Sequence, residues 1–214
     1  MDSKPSDFRM LLVALTGGIA VGKSVAAAVF KELGCYVHSS DTAAHELMRP
    51  DSSAWDEIVR LFGKDILNPD RTIDRKRLSR MVFADEAKRR SLNKILHPRV
   101  MESRRNLLES LDRRGNHSIF ISEAALTLEA GFASFYDRII VVFCDEHLQM
   151  KRLLERKGIS RAEAQRMIQS QMPQEEKKRY AHYLIDSSGS IDDTVERTES
   201  VFRLLVQDYM HKQC

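Results

Sequence analysis

Between the apolar run Met10–Leu15 and the stretch VAAAVFKEL, the chain reads TGGIAVGKS. Gly17 through Ser24 fit the spacing G-x-x-x-x-G-K-[ST]. Glycines at these positions let the backbone curl until successive N–H groups converge on phosphate oxygens. In such a loop Lys23 reaches the outer phosphates as a point charge, and the Ser24 hydroxyl ligates Mg²⁺. A helix beginning here adds its positive N-terminal end. At average residue usage the spacing arises by chance in roughly 1 of 100 chains of this length. Context narrows it further, because the motif needs a strand before it and a helix after it, and both are predicted. GGIAVG is not G-x-G-x-x-G, which disfavours a dinucleotide fingerprint. The candidate nucleotide contacts are Gly17, Gly18, Ile19, Ala20, Val21, Gly22, Lys23, Ser24 and Val25, with Ser24 the candidate metal ligand.

Five short apolar runs read as strands: Met10–Leu15, Cys35–Ser39, Ser118–Ser122, Arg138–Cys144 and His182–Ile185. Several are continuous rather than alternating and rich in Val and Ile, as expected of parallel strands covered on both faces. Helical patterns lie between them. Lys23–Leu33 carries Val25, Ala26, Val29, Phe30 and Leu33 on one face, and Gly34 follows as a stop. Ser160-Arg-Ala-Glu163 is a capping box that opens a helix through about Gln171. Ser190 caps a last helix over about Ile191–Lys212. Strands alternating with helices predict an α/β domain built on a parallel sheet. One interval breaks the rhythm. From about Thr42 to Asn116 there are only helical patterns, such as Trp55–Phe62, Leu78–Phe83 and Leu92–Leu96. They read either as an insertion that covers a substrate or as helices packed on the sheet.

The 214 residues suffice for one domain with a sizeable core. A net charge of +3 suits an anionic ligand but is too weak to argue for nucleic acid. No basic tract with interleaved aromatics suggests a single strand. The three cysteines, Cys35, Cys144 and Cys214, form neither a disulfide framework nor a zinc spacing. Apolar runs of about six residues are far short of the ~20 that span a bilayer. MDSKPSDFRM at the start lacks the apolar core of a signal peptide. These features predict a cytoplasmic protein with no membrane partner, and they set no oligomeric state.

A phosphate loop names a nucleotide, not a reaction. Three classes compete: a small-molecule kinase, a GTPase and an ATPase motor. The nearest approach to the N-K-x-D guanine reader is Asn93-Lys94-Ile95-Leu96, which lacks the acid. The third strand run ends at Glu123, one acid rather than the pair usual in motors. One sheet with a helical insertion therefore suits a small-molecule kinase, with a nucleotide-dependent binding module as the non-enzymatic alternative. Such a kinase needs a carboxylate near the transferred phosphate. Asp41 ends the second strand run, and ligands gather at the carboxyl ends of parallel strands. It either orients the acceptor hydroxyl and takes its proton late, or caps a helix starting at Thr42. His97 precedes Pro98, which predicts a helix boundary there.

The chain resembles the dephospho-CoA kinase family over nearly its whole length. The resemblance is carried by LTGGIAVGKS, SSDTAAHEL, RTIDRKRLSRMVF, ILHP and EAALTLEAG. Its closest part is RKGISRAEAQRMIQSQMPQEEKKRYAHYLIDSSGS. It implies a P-loop kinase fold, with a five-stranded parallel sheet flanked by helices. It also implies a single domain over 1–214, an acceptor-binding helical insertion over about 42–116 and a helical lid over about 145–180. The reaction implied is transfer of the γ-phosphoryl of ATP, carried with Mg²⁺, to the ribose 3′-hydroxyl of dephospho-CoA. Asp41 matches the second acid of the family's turn, which implies the base. Arg152 and Arg156 fall in the lid, where a guanidinium neutralises charge on the transferring oxygens; read alone, they are equally solvated helix charges. The chain departs from the family at Ser39, Ala125, Thr127 and Ser187. Ala20-Val21 stands where a smaller pair, commonly Gly-Ser, is usual. Ser187 replaces an Asn in the loop near the adenine.

Overall fold

A computed structural model describes residues 7–156 and 158–214; the side chains of Asp41 and Phe83 also lie outside what is described. The chain divides into two compact units, residues 1–39 with 108–214, and residues 40–107.

The first unit holds the sheet. Its strands are β1 (Leu11–Gly17), β2 (Tyr36–Ser39), β3 (Ile119–Glu123), β4 (Arg138–Phe143) and β5 (Tyr183–Asp186). All pairings are parallel, in the order β2-β3-β1-β4-β5. The predicted runs fall on these strands to within two residues, and in β1, β3 and β4 the apolar residues have almost no exposed face to alternate with. Leu11, Val13 and Leu15 point into one buried cluster with Ile121, Ile140, Val142 and Ile185. Leu12, Ala14, Phe120 and Val141 point the other way and are equally buried. Burying both faces is what makes these strands read as unbroken hydrophobic runs.

Helices α1 (Lys23–Glu32) and α9 (Ile191–Lys212) contribute Ala26, Phe30, Val201 and Leu205 to the first cluster. The α9 helix starts where the sequence places it. Ser190 Oγ accepts the Asp193 N–H, and Asp193 reaches back to the Ser190 N–H, a reciprocal capping box. Between β4 and β5 run α6 (Glu146–Leu154), α7 (Arg161–Gln169) and α8 (Gln174–Lys178). A bidentate pair staples β4 to α9: Arg138 donates to both oxygens of Asp208, at 2.8 and 2.7 Å.

The second unit comprises α2 (Ser40–Leu47), α3 (Ser53–Phe62), α4 (Arg75–Ala84) and the first part of α5 (Glu86–Arg114). Among its described residues the only strand-like feature is an isolated bridge, Leu67 with Ile73. It has a core of its own, built on Trp55, Ile58, Phe62, Ile66, Leu78 and Leu96. The Trp55 indole N–H donates to the Arg71 carbonyl at 2.9 Å, and the Arg71 guanidinium lies over its ring.

Two local expectations fail. His97-Pro98 is no helix boundary, since Pro98 lies inside α5. Proline removes a single donor there. Beside it, the Arg99 guanidinium donates to the Ile95 carbonyl at 2.8 Å and pairs with Glu57 at 2.7 Å. His97 is half-buried, and burial lowers its pKa. Asp41, in turn, neither ends β2 nor caps a helix at Thr42. The strand stops at Ser39 and α2 begins at Ser40, so Asp41 occupies the first turn of that helix. The chain turns from extended to helical with no intervening loop.

Candidate active site

The chain leaves β1 toward β2 and β3 on one side and returns past it to β4 and β5 on the other. This switch opens a crevice at the carboxyl end of β1, where ligands of open α/β sheets bind. The loop Gly17–Gly22 sits there. Gly17 has φ +148°, and a Cβ on it would lie 2.2 Å from the Val142 carbonyl oxygen, so only glycine fits. Gly22 caps α1 from the left-handed region, φ +87°, with no side-chain cap and no acid in the first turn. The first N–H groups of α1 thus receive no side-chain cap, which is the arrangement that favours an anion. The Val25 N–H returns to the Gly22 carbonyl at 3.0 Å. Lys23 Nζ donates to the Gly17 and Gly18 carbonyls, both at 3.2 Å. The Ser24 side chain is exposed.

The Ala20-Val21 pair is accommodated in two different ways. Val21 is fully buried and joins the sheet core. Ala20 takes φ +59°, a left-handed conformation that side chains adopt at a cost.

Arg152 and Arg156 come to the same place from α6 and the residues after it. With Ala20, Gly22, Ser24 and Ser187 they line a cavity of about 270 Å³. Arg152 is anchored by the loop after β5: its guanidinium donates to Ser187 Oγ at 3.2 Å and to the Ser187 carbonyl at 2.8 Å. Burial pushes the neighbouring Cys144 thiol up in pKa, with the Arg152 charge opposing. Glu123 ends β3, level with Ser39 of β2 and Leu15 of β1. Asp41 belongs to the second unit and its side chain is outside the described residues.

A group of glutamines, none of them assigned a role from sequence, surrounds the loop. Gln149 Nε2 donates to the Ile19 carbonyl at 2.8 Å. The Ile19 N–H donates to Gln171 Oε1, also at 2.8 Å. Gln174 donates to Gln149 Oε1 at 3.1 Å. Behind them Lys177, fully buried, pairs with Glu129 at 2.8 Å and donates to the Ala125 carbonyl at 2.7 Å. The family-like segment QMPQEEK is therefore a set of contacts to the loop and to the chain after β3. The partners lie 130 and 152 residues apart, beyond the reach of any local sequence signal.

A parallel sheet in this order, whose first strand feeds a glycine cradle and then a helix, defines a P-loop kinase fold. A family model described as dephospho-CoA kinase matches residues 11–193. The dephospho-CoA kinase of Aquifex aeolicus is 38% identical over 199 residues, covering 93% of this chain and 100% of its own. That of Geobacter metallireducens is 40% identical over 195 residues, covering 91% and 96%. A solved structure from Thermus thermophilus matches with a TM-score of 0.75 at 29% identity, covering 92% and 97%. The chain belongs to the dephospho-CoA kinase family.

Proposed function

We propose that this chain transfers the γ-phosphoryl group of ATP to the ribose 3′-hydroxyl of dephospho-CoA, giving coenzyme A and ADP. The observation that carries the reading is the glycine cradle at the end of β1, together with the family match. Gly17–Val25 hold the phosphates through backbone N–H groups and the α1 N-terminus. Lys23 exchanges its two loop carbonyls for phosphate oxygens. Arg152 and Arg156, on the wall of the same cavity, meet the charge that spreads over the transferring oxygens. In the reaction the ribose O–H bond gives way to an O–P bond, the bond from the γ-phosphorus to the bridging oxygen breaks, and ADP leaves. Asp41 orients the hydroxyl and takes its proton late, since an ionised Asp is a weak base toward an alcohol.

Among the described residues no cluster of three or more His, Cys, Asp or Glu is placed to hold a metal alone. That suits Mg²⁺, which is held by one or two protein groups, water and substrate phosphates. The exposed Ser24 hydroxyl at the head of α1 fits as its protein ligand. When bound, the ion neutralises charge on the phosphate oxygens. We assign acceptor binding to about 42–116. Within about 145–180, where closure over the phosphates excludes water, Gln149 and Gln171 stay fixed to the loop and Gln174 to Gln149, and the closing motion belongs to the residues between them. Three free cysteines, two of them buried, suit a reducing cytoplasm. Among the described residues no helix is long and apolar enough to cross a membrane.

The test is ATP consumption with dephospho-CoA against shikimate, nucleosides and nucleoside monophosphates. Turnover with dephospho-CoA is expected; turnover only with another acceptor overturns the reading. Asp41→Asn should lower kcat by at least ~10²-fold and leave ATP binding nearly intact.

A further inference from the structure

We propose that Gln171 and Gln149 are positioning residues that set two consecutive peptide planes of the phosphate loop, with Gln174 fixing Gln149. The proposal rests on the reading of Gly17–Val25 as the nucleotide's phosphate site.

The geometry follows from the planarity of the trans peptide, in which C=O and N–H point in opposite directions. In the peptide between Gly18 and Ile19, the N–H is held by Gln171 at 2.8 Å and the carbonyl by Lys23 at 3.2 Å. This plane is held at both ends, and Gln171 keeps its hold on the N–H when Lys23 turns from the Gly18 carbonyl to phosphate. In the next peptide Gln149 holds the Ile19 carbonyl at 2.8 Å. That turns the Ala20 N–H to the face away from Gln149. Ala20 then takes its left-handed φ of +59°. Such a conformation persists only when the surroundings over-determine it, and the two glutamines do so here.

The relay is itself fixed. Gln149 is 2% exposed, so its amide has to be satisfied within the protein. Gln174 Nε2 donates to Gln149 Oε1 and to the Cys144 carbonyl, both at 3.1 Å, and its Oε1 accepts the Cys144 N–H at 3.1 Å. Both amide protons of Gln174 are thereby used. This sets which end of the Gln149 amide faces the loop. Gly18 is glycine for the same reason: a Cβ there would lie 2.9 Å from Gln149 Nε2.

The test uses the full chain and ADP as probe. Calorimetry is run on the wild type, on Gln171→Met, which keeps the shape and removes the acceptor, and on Gln171→Glu, which keeps an acceptor at the same reach. Amide exchange at Ile19 is followed by NMR. Gln171→Met is expected to weaken ADP binding about tenfold and to speed exchange at Ile19, while the amides of β1 and β4 stay slow. Gln171→Glu is expected to restore slow exchange at Ile19 whatever its added charge does to affinity. ADP binding by Gln171→Met within twofold of wild type, or unchanged exchange, overturns the proposal even if the melting temperature falls. Should Gln171→Met not fold, Gln171→Asn, one methylene short of Ile19, is read in the same way. A wild type that does not bind ADP overturns the phosphate-site reading itself, a different result from a loop that binds ADP without needing Gln171.

Discussion

Ser187 Oγ donates to the Val21 carbonyl at 2.6 Å, tying the chain after β5 to the phosphate loop. The same side chain receives Arg152 and is 1% exposed. One serine therefore joins the loop, the arginine wall and the last strand. Ser187→Ala leaves the Val21 carbonyl and one Arg152 N–H without this partner. We expect a loss of about 1 kcal/mol in nucleotide binding, about fivefold in Kd for ADP, by calorimetry.

Gly17 and Ala20 make opposite predictions within one loop. Gly17→Ala drives a methyl into the Val142 carbonyl and should cost more than about 3 kcal/mol, or abolish folding, in urea denaturation. Ala20→Gly relieves a left-handed alanine and should stabilise by up to about 1 kcal/mol. Ala20→Val, branched at Cβ, should destabilise by about 1–2 kcal/mol.

Acid should loosen the staple between β4 and α9. Burial pushes the Asp208 carboxyl up, but hydrogen bonds from Arg138 and Tyr183 outweigh it and hold the pKa below the ordinary value. A depressed carboxylate contributes stability that is complete above the unfolded pKa, about 3.9, and is lost as pH falls through the folded one. Asp208→Asn should therefore cost about 2 kcal/mol at pH 7, and the gap to wild type should close below about pH 4. Urea midpoints across that range measure it.

Thiol labelling separates the cysteines. Cys214 is exposed, whereas Cys35 is buried and its thiol is pushed up to about 12 by burial. In native protein at pH 8 we expect Cys214 to react within minutes and Cys35 and Cys144 only after denaturation. Mass spectrometry of the labelled peptides reads this directly.

What was legible in the sequence was what depends on neighbours along the chain. The central strands β1, β3 and β4 are buried on both faces and announce themselves as apolar runs, while the edge strands β2 and β5, only partly buried, are short runs that still fall close to their expected places. Ser190 with Asp193 and Ser160 with Glu163 mark two helix starts, because a capping box closes within four residues. The phosphate loop carries its strand–helix context with it. Contacts set by the folded chain were not legible. Nothing local to Gln149 says that it will meet Ile19, and nothing local to Ser187 says that it will meet Val21. Pro98 misleads because a proline inside a long helix removes only one backbone donor, and the rest of α5 continues through it.

Val21 lies in the loop proposed to cradle the nucleotide and also in the core that includes Val142, Ile185 and Val201. A nucleotide that binds only the folded chain couples occupancy to folding. Nucleotide at a hundred times its Kd should raise stability by about 2.7 kcal/mol. A cavity cut at Val201, far along the chain on α9, should lower the melting temperature, and saturating nucleotide should recover part of the loss. The thermal ceiling of this molecule thus rises and falls with its nucleotide supply.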